Sequence, residues 1–178
     1  DYIYRYWNKF GNEGFKRLIN EGYFCRNTNY NYVPTYTGPG HAAIYTGTTP
    51  AVNGIISNDW YERESGKVMY CVEDQKVKGV GSNEPEGNRS PVNLLSSTVT
   101  DQLRLASNMH SKVIGIALKD RGAILPAGHT GEAYWYEGKS GNWITSTYYK
   151  KELPAWAIEF NKQQNAAKYL SKEWNTLL

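Results

Sequence analysis

The sequence predicts an α/β fold with a mainly parallel central sheet, helices on its faces and β-hairpins as decorations at its rim. Three observations carry this expectation. Lys112-Val113-Ile114-Gly115-Ile116-Ala117-Leu118 is a continuous apolar run bounded by polar residues, the pattern of a buried strand. A helical pattern precedes it, from Pro91 at a first-turn position through about Ser107, with Leu94, Leu95, Val99, Leu103 and Leu105 as apolar marks. Paired short segments around Ser65-Gly66 and around Gly138-Lys139-Ser140-Gly141 read as hairpins.

Taken in order, residues 2–20 predict a helix, with Ile3, Trp7, Phe10, Phe15, Leu18 and Ile19 near one face, weakened by Gly11 and Gly14. Gly22 is placed to stop it, and Tyr23–Arg26 reads as a short strand. Residues 39–47 predict a short helix, broken by Thr48-Thr49-Pro50. The first hairpin pairs Trp60–Glu64 with Lys67–Val72, and residues 79–91 are loop-forming. After the helix and the buried strand come the turn Lys119–Gly122 and a short segment, Ala123–His129. The second hairpin pairs Glu132–Tyr136 with Trp143–Tyr148. A helix from Pro154 to about Gln164, with Trp156, Ile158 and Phe160, leads into a weaker helical tail. A parallel sheet needs several buried strands and only two or three good ones are visible, so the chain reads as a piece of a larger domain.

A chain of 178 residues is long enough for one domain with a real core. The net charge is +3 with both signs interspersed, so nothing in the sequence points to nucleic acid or anionic lipid as a partner. No run approaches the ~18 apolar residues of a membrane span. The amphipathic N-terminus, Asp1–Trp7, is not a signal peptide. Cys25 and Cys71 form one disulfide or remain two thiols, and oligomeric state is left open.

Chemistry concentrates at Tyr36-Thr37-Gly38-Pro39-Gly40-His41, a hydroxyl on a glycine-proline elbow opening onto a helix. Gly38 and Gly40 supply unusual backbone angles and close approach, and Pro39 suits a first helical turn. Thr37 then sits at a helix N-terminus, where free N–H groups and the dipole favour an anion beside an attacking hydroxyl. Lys119 and Arg121 leave the C-terminal end of the predicted strand, where open α/β sheets bind ligands, and their cations suit phosphate. The plainer alternative is a solvated turn with Asp120 neutralising one charge. Asn58 is either a turn former or a neutral donor to a substrate oxygen. His41, His110 and His129 read as structural, and no histidine spacing makes a complete metal site.

Together, Thr37-Gly-Pro-Gly-His41, Asn58-Asp59-Trp60 and the segment Leu118–His129 resemble the PafA-type bacterial alkaline phosphatases. These belong to the alkaline phosphatase superfamily, near its nucleotide pyrophosphatase/phosphodiesterase branch. The resemblance implies an alkaline-phosphatase-like sandwich, of which residues 1–178 are an incomplete N-terminal portion, without the first strand and the C-terminal part. It implies hydrolysis of small phosphate monoesters with two zinc ions. Thr37 would be the nucleophile that becomes phospho-threonine and touches one metal. Asn58 would donate to a phosphoryl oxygen, and Lys119 with Arg121 would clamp the others. The remaining metal ligands would lie outside this chain, so the fragment alone is expected to be inactive and to bind no zinc tightly. A periplasmic or secreted location is implied by the family alone. The alternatives are a phosphodiesterase or nucleotide pyrophosphatase of the same superfamily, and a metal-free phosphate-binding module.

Overall fold

Gly14, at φ 66°, interrupts what the periodicity predicts as one N-terminal helix. The computed structural model describes residues 1–170 and 172–176 and divides into two units, Asp1–Asn31 and Tyr32–Leu178. The first unit contains helix α1 (Tyr2–Arg5), a 3-10 turn (Trp7–Lys9) and helix α2 (Phe15–Glu21). Its aromatic residues pack on one another, Phe10 against Phe15 at 5.1 Å between ring centroids and Tyr4 against Phe24 at 6.4 Å. Gly22 ends α2 in an extended conformation. The strand expected over Tyr23–Arg26 is absent, and these residues run on without a strand partner among the described residues.

The second unit begins with helix α3 (Thr37–Thr46), which starts two residues earlier than its sequence pattern suggests, and the short helix α4 (Pro50–Asn53). Strands β1 (Asp59–Glu62) and β2 (Lys67–Tyr70) pair antiparallel as a two-stranded sheet, in the predicted hairpin. A four-stranded sheet holds β3 (Gly79–Val80), β4 (Ile114–Ala117), β5 (Glu132–Glu137) and β6 (Asn142–Ser146), in the order β3-β6-β5-β4.

The α/β class holds, and the mainly parallel sheet expected from sequence is borne out in part: among the described residues β4–β5 is the one parallel pair, while β5–β6 and β3–β6 are antiparallel. The second hairpin, β5–β6, lies at the centre of this sheet and not at its rim. Its residues Ala133, Trp135 and Ile144 belong to the core, which is why the sheet forms around it. Strand β3 arises within the predicted 79–91 loop, where two residues pair with β6.

Helix α5 spans Val99–Ala106, not Pro91–Ser107. Its start is fixed by a capping box in which Thr98 Oγ1 accepts the Asp101 N–H and the Asp101 carboxylate accepts the Thr98 N–H, each at 3.0 Å. Helix α6 (Asp120–Ala127) joins β4 to the parallel β5 and supplies Ala123, Ile124 and Leu125 to the core. Gly115 of β4 lies directly against the Ala123 carbonyl, leaving no room for a side chain between strand and helix. The apolar run of β4 is therefore only half covered: Ile114 and Ile116 point outward and are 52% and 53% exposed. Helices α7 (Ala155–Lys162) and α8 (Asn165–Leu170) complete the described chain.

Candidate active site

Thr37 is the first residue of α3, with Tyr36 as an extended N-cap that makes no side-chain cap. The helix N-terminus offers fewer free donors than expected. Gly38 N–H donates to Asn58 Oδ1 at 2.8 Å, Gly40 N–H donates to the Tyr36 carbonyl at 2.9 Å, and Pro39 has no N–H. The Thr37 N–H remains, and no hydrogen bond engages the Thr37 hydroxyl among the described residues. The expected unusual backbone angles at Gly38 and Gly40 are also corrected, since neither has positive φ. Gly38 is required instead for closeness: a methyl there would meet Asn58 Oδ1 and the Ser57 carbonyl at 3.2 Å and Cys71 Sγ at 3.3 Å.

Asn58 is thus more than a turn residue. Its Oδ1 anchors the elbow and its backbone carbonyl accepts the Cys71 N–H at 2.9 Å, joining the elbow to the end of β2. With Oδ1 committed, the carboxamide has only its Nδ2 donors to offer a ligand. Cys71 lies buried beneath Gly38, its thiol pushed up to about 12 by burial and by the nearby Asp120 carboxylate. Both cysteines are free thiols, Cys25 exposed and Cys71 buried.

Lys119 caps the N-terminus of α6 with its side chain exposed and without an ion pair among the described residues. Asp120 does not neutralise its own turn. Its Oδ2 accepts from Arg89 Nε at 3.0 Å and its Oδ1 from the Tyr70 hydroxyl and the Arg121 N–H. Arg121 donates through one terminal nitrogen to the Tyr70 hydroxyl at 2.6 Å, and its guanidinium lies 5.6 Å from the centre of that ring. Its Nε is buried without a partner. The site therefore runs from Thr37-Gly38 through Asn58 and the Cys71–Tyr70 backbone to Arg121.

Tyr70 and Arg89 escape sequence reasoning, because each lies in an element read only as hairpin or loop, far in sequence from Asp120. His41 Nδ1 bonds to the Thr37 carbonyl at 2.9 Å, a contact within α3. His110 contacts the Ser107 carbonyl, and His129 is held between Asp101 Oδ2 and the Leu94 carbonyl, so both are structural. Among the described residues no three or more His, Cys, Asp or Glu side chains gather to hold a metal. These residues alone do not fit a zinc site.

The whole chain, residues 1–178, matches a family described as type I phosphodiesterase / nucleotide pyrophosphatase. It is 54% identical over 178 residues to alkaline phosphatase PhoV of Synechococcus elongatus, covering 99% of this chain and 32% of that protein. It is 55% identical over 178 residues to a protein of Myroides odoratus named calcium-transporting ATPase, with the same two coverages, 99% and 32%. The crystal structure of wild-type alkaline phosphatase PafA superposes with a TM-score of 0.91 at 50% identity, covering 100% of this chain and 35% of that one. A PafA variant with a threonine changed to serine, and an asparagine, a lysine and an arginine changed to alanine, superposes equally well. The chain spans about a third of the length of the curated relatives it matches.

Proposed function

Because the chain belongs to the type I phosphodiesterase / nucleotide pyrophosphatase family, we propose that the full-length protein hydrolyses phosphate monoesters, residues 1–178 forming the N-terminal portion of an alkaline-phosphatase-like domain. Thr37 Oγ1 attacks phosphorus in line with the leaving alkoxide. The bond from phosphorus to the alcohol oxygen breaks as the Oγ1–P bond forms, the Thr37 hydroxyl proton is released and the leaving alkoxide takes up one to depart as the alcohol, and water then cleaves the phospho-threonine to return Thr37 and inorganic phosphate. Asn58 Nδ2 donates to one phosphoryl oxygen, and Lys119 and Arg121 take the remaining charge.

The observation that carries this reading is the 2.8 Å bond from Gly38 N–H to Asn58 Oδ1. It ties Asn58 to the residue after Thr37 and leaves the carboxamide its Nδ2 donors, which suit a phosphoryl oxyanion. Further support comes from the PafA variant, whose altered threonine and asparagine, and whose lysine and arginine, are separated as Thr37 and Asn58, and Lys119 and Arg121, are here. The two zinc ions implied by the resemblance would supply Lewis-acid stabilisation of the oxyanions. Thr37 would touch one of them and their other ligands would have to come from beyond these residues, so the isolated chain is expected to be inactive. A periplasmic or secreted location belongs to the same reading.

A phosphodiesterase is the second reading, favoured by the family's description. Two cations at Lys119 and Arg121 favour the first, because a terminal phosphate carries a second charge that a diester lacks. The test is the full-length protein with p-nitrophenyl phosphate against bis(p-nitrophenyl) phosphate. Higher kcat/KM for the monoester, lost by at least roughly 10³-fold in Thr37→Ala as for removal of a covalent nucleophile, is expected; Thr37→Ser should retain part of it. Diester preference selects the second reading. Phosphate binding without turnover identifies a binding module.

A further inference from the structure

We propose that Tyr70 is the positioning residue for Arg121, and that through it the end of the first hairpin sets the preference for a doubly charged phosphate; this rests on the monoesterase reading above. The Arg121 guanidinium could swing freely on its flexible stem, and a clamp for a dianion requires it to be held before the ligand arrives. The structure holds it two ways: the Tyr70 hydroxyl accepts from Arg121 at 2.6 Å, and the guanidinium lies over the Tyr70 ring at 5.6 Å. The Arg121 backbone N–H, donating to the Asp120 carboxylate at 2.7 Å, fixes the turn from which the side chain leaves.

The hydroxyl can accept from Arg121 only while its own proton has somewhere to go. Asp120 Oδ1 takes that proton in a hydrogen bond, and Asp120 is fixed in turn by Arg89 at 3.0 Å, in an ion pair whose side chains are 15% and 14% exposed. Burial, then the Asp120 carboxylate, push the Tyr70 phenol well above its ordinary range, so it stays a neutral relay between acid and base. Arg89 also lies over the ring, 4.9 Å from its centroid. Tyr70 follows β1 through the Asp59–Tyr70 register, and the next residue, Cys71, bonds to Asn58. The same hairpin end therefore places both the neutral donor and the cation.

Arg121 spends one terminal nitrogen on Tyr70 and keeps Nε without a partner. Tyr70→Phe preserves the ring and deletes only the relay, so it separates positioning from packing.

The experiment uses the full-length protein in four forms: native, Tyr70→Phe, Arg121→Ala and the double variant, each with the monoester and diester above. The Tyr70→Phe change is expected to lower monoester kcat/KM about tenfold, the size of one lost hydrogen bond to a charged group, and diester kcat/KM less than twofold. In the Arg121→Ala background it should change neither. An equal loss on both substrates, or a loss that persists without Arg121, overturns the proposal. If Tyr70→Phe does not fold, Asp120→Asn serves with the same two outcomes, since it removes the charge that orients the Tyr70 hydroxyl. Native-like activity in Thr37→Ala would instead overturn the monoesterase reading itself, independently of Tyr70.

Discussion

Asn58→Asp and Asn58→Ala separate the two jobs assigned to one carboxamide. In Asn58→Asp an oxygen still stands where Oδ1 accepts the Gly38 N–H at 2.8 Å, so the elbow stays anchored. Both Nδ2 donors are lost, and a negative charge faces the transferring group. Losing one donor to a developing oxyanion costs roughly 10²- to 10³-fold in kcat, about 3 to 4 kcal/mol, and charge repulsion deepens the loss for a dianion. In Asn58→Ala the donors are lost in the same way, but the Gly38 N–H is also stranded in buried backbone. That adds about 1–3 kcal/mol of lost stability. Steady-state kinetics with p-nitrophenyl phosphate and thermal unfolding of the same full-length preparations read the two effects separately. The expected pattern is a large rate loss in both variants and a lowered unfolding midpoint in the alanine variant alone. An Asn58→Asp enzyme within threefold of native kcat/KM refutes the donor role, and an Asn58→Ala enzyme as stable as native refutes the anchor.

Further outcomes follow from other parts of the molecule. Gly128 has φ 68°, and a methyl there would fall 2.5 Å from Asp101 Oδ2 and hard against Thr98 Oγ1; Gly128→Ala should cost at least about 2 kcal/mol, read by urea unfolding. Burial alone would raise the Asp101 pKa, but hydrogen bonds from Thr98, His129 and Thr130 hold it at about 2. Its contribution, about 2 kcal/mol against an unfolded value near 4, is full above pH ~4 and lost as pH falls through about 2. Urea titrations at pH 7 and pH 3 should show about half of that loss, roughly 1 kcal/mol, in the native protein and much less of it in Asp101→Asn. Chelation should abolish turnover of the full-length protein and zinc should restore it, as metal-assayed kinetics will show. The isolated 178-residue chain should self-associate and bind a hydrophobic dye through β4, whose Ile114 and Ile116 face outward with Leu118 71% exposed beside them. Ile116→Lys should reduce both signals, and a dye-silent monomer by light scattering would contradict this.

What the sequence made legible was local. The elbow and both hairpin turns each carry their signal within a few residues, so their positions are read directly, whereas helix α6 hides behind Gly122 and Pro126 and reads only as a turn and a short segment. Pro91 suggests a first-turn residue and so draws the α5 start too early, whereas the capping box of Thr98 and Asp101, three residues apart, is the stronger cue. The β4 run was read as buried because its composition is apolar throughout. Burial depends on what lies opposite, and α6 covers only the Gly115 and Ala117 face. Arg121 and Asp120 are legible as a charged turn, but their cluster with Tyr70 and Arg89 is not. Its bonds join residues 31 and more positions apart, and no spacing rule connects a hairpin end to a helix start at that range.

The thiol beneath the elbow doubles as a clock for the site. Cys71 is fully buried and its sulfur abuts Gly38, so alkylating it requires β2 and the elbow to part. The exposed Cys25 reacts without that step and gives a reference rate within the same chain. The ratio of the two labelling rates then measures the free energy of local opening, each 1.4 kcal/mol slowing Cys71 about tenfold. Inorganic phosphate bound across Thr37 and Asn58 would slow Cys71 and leave Cys25 untouched. Occupancy of the candidate site thereby becomes measurable without any turnover.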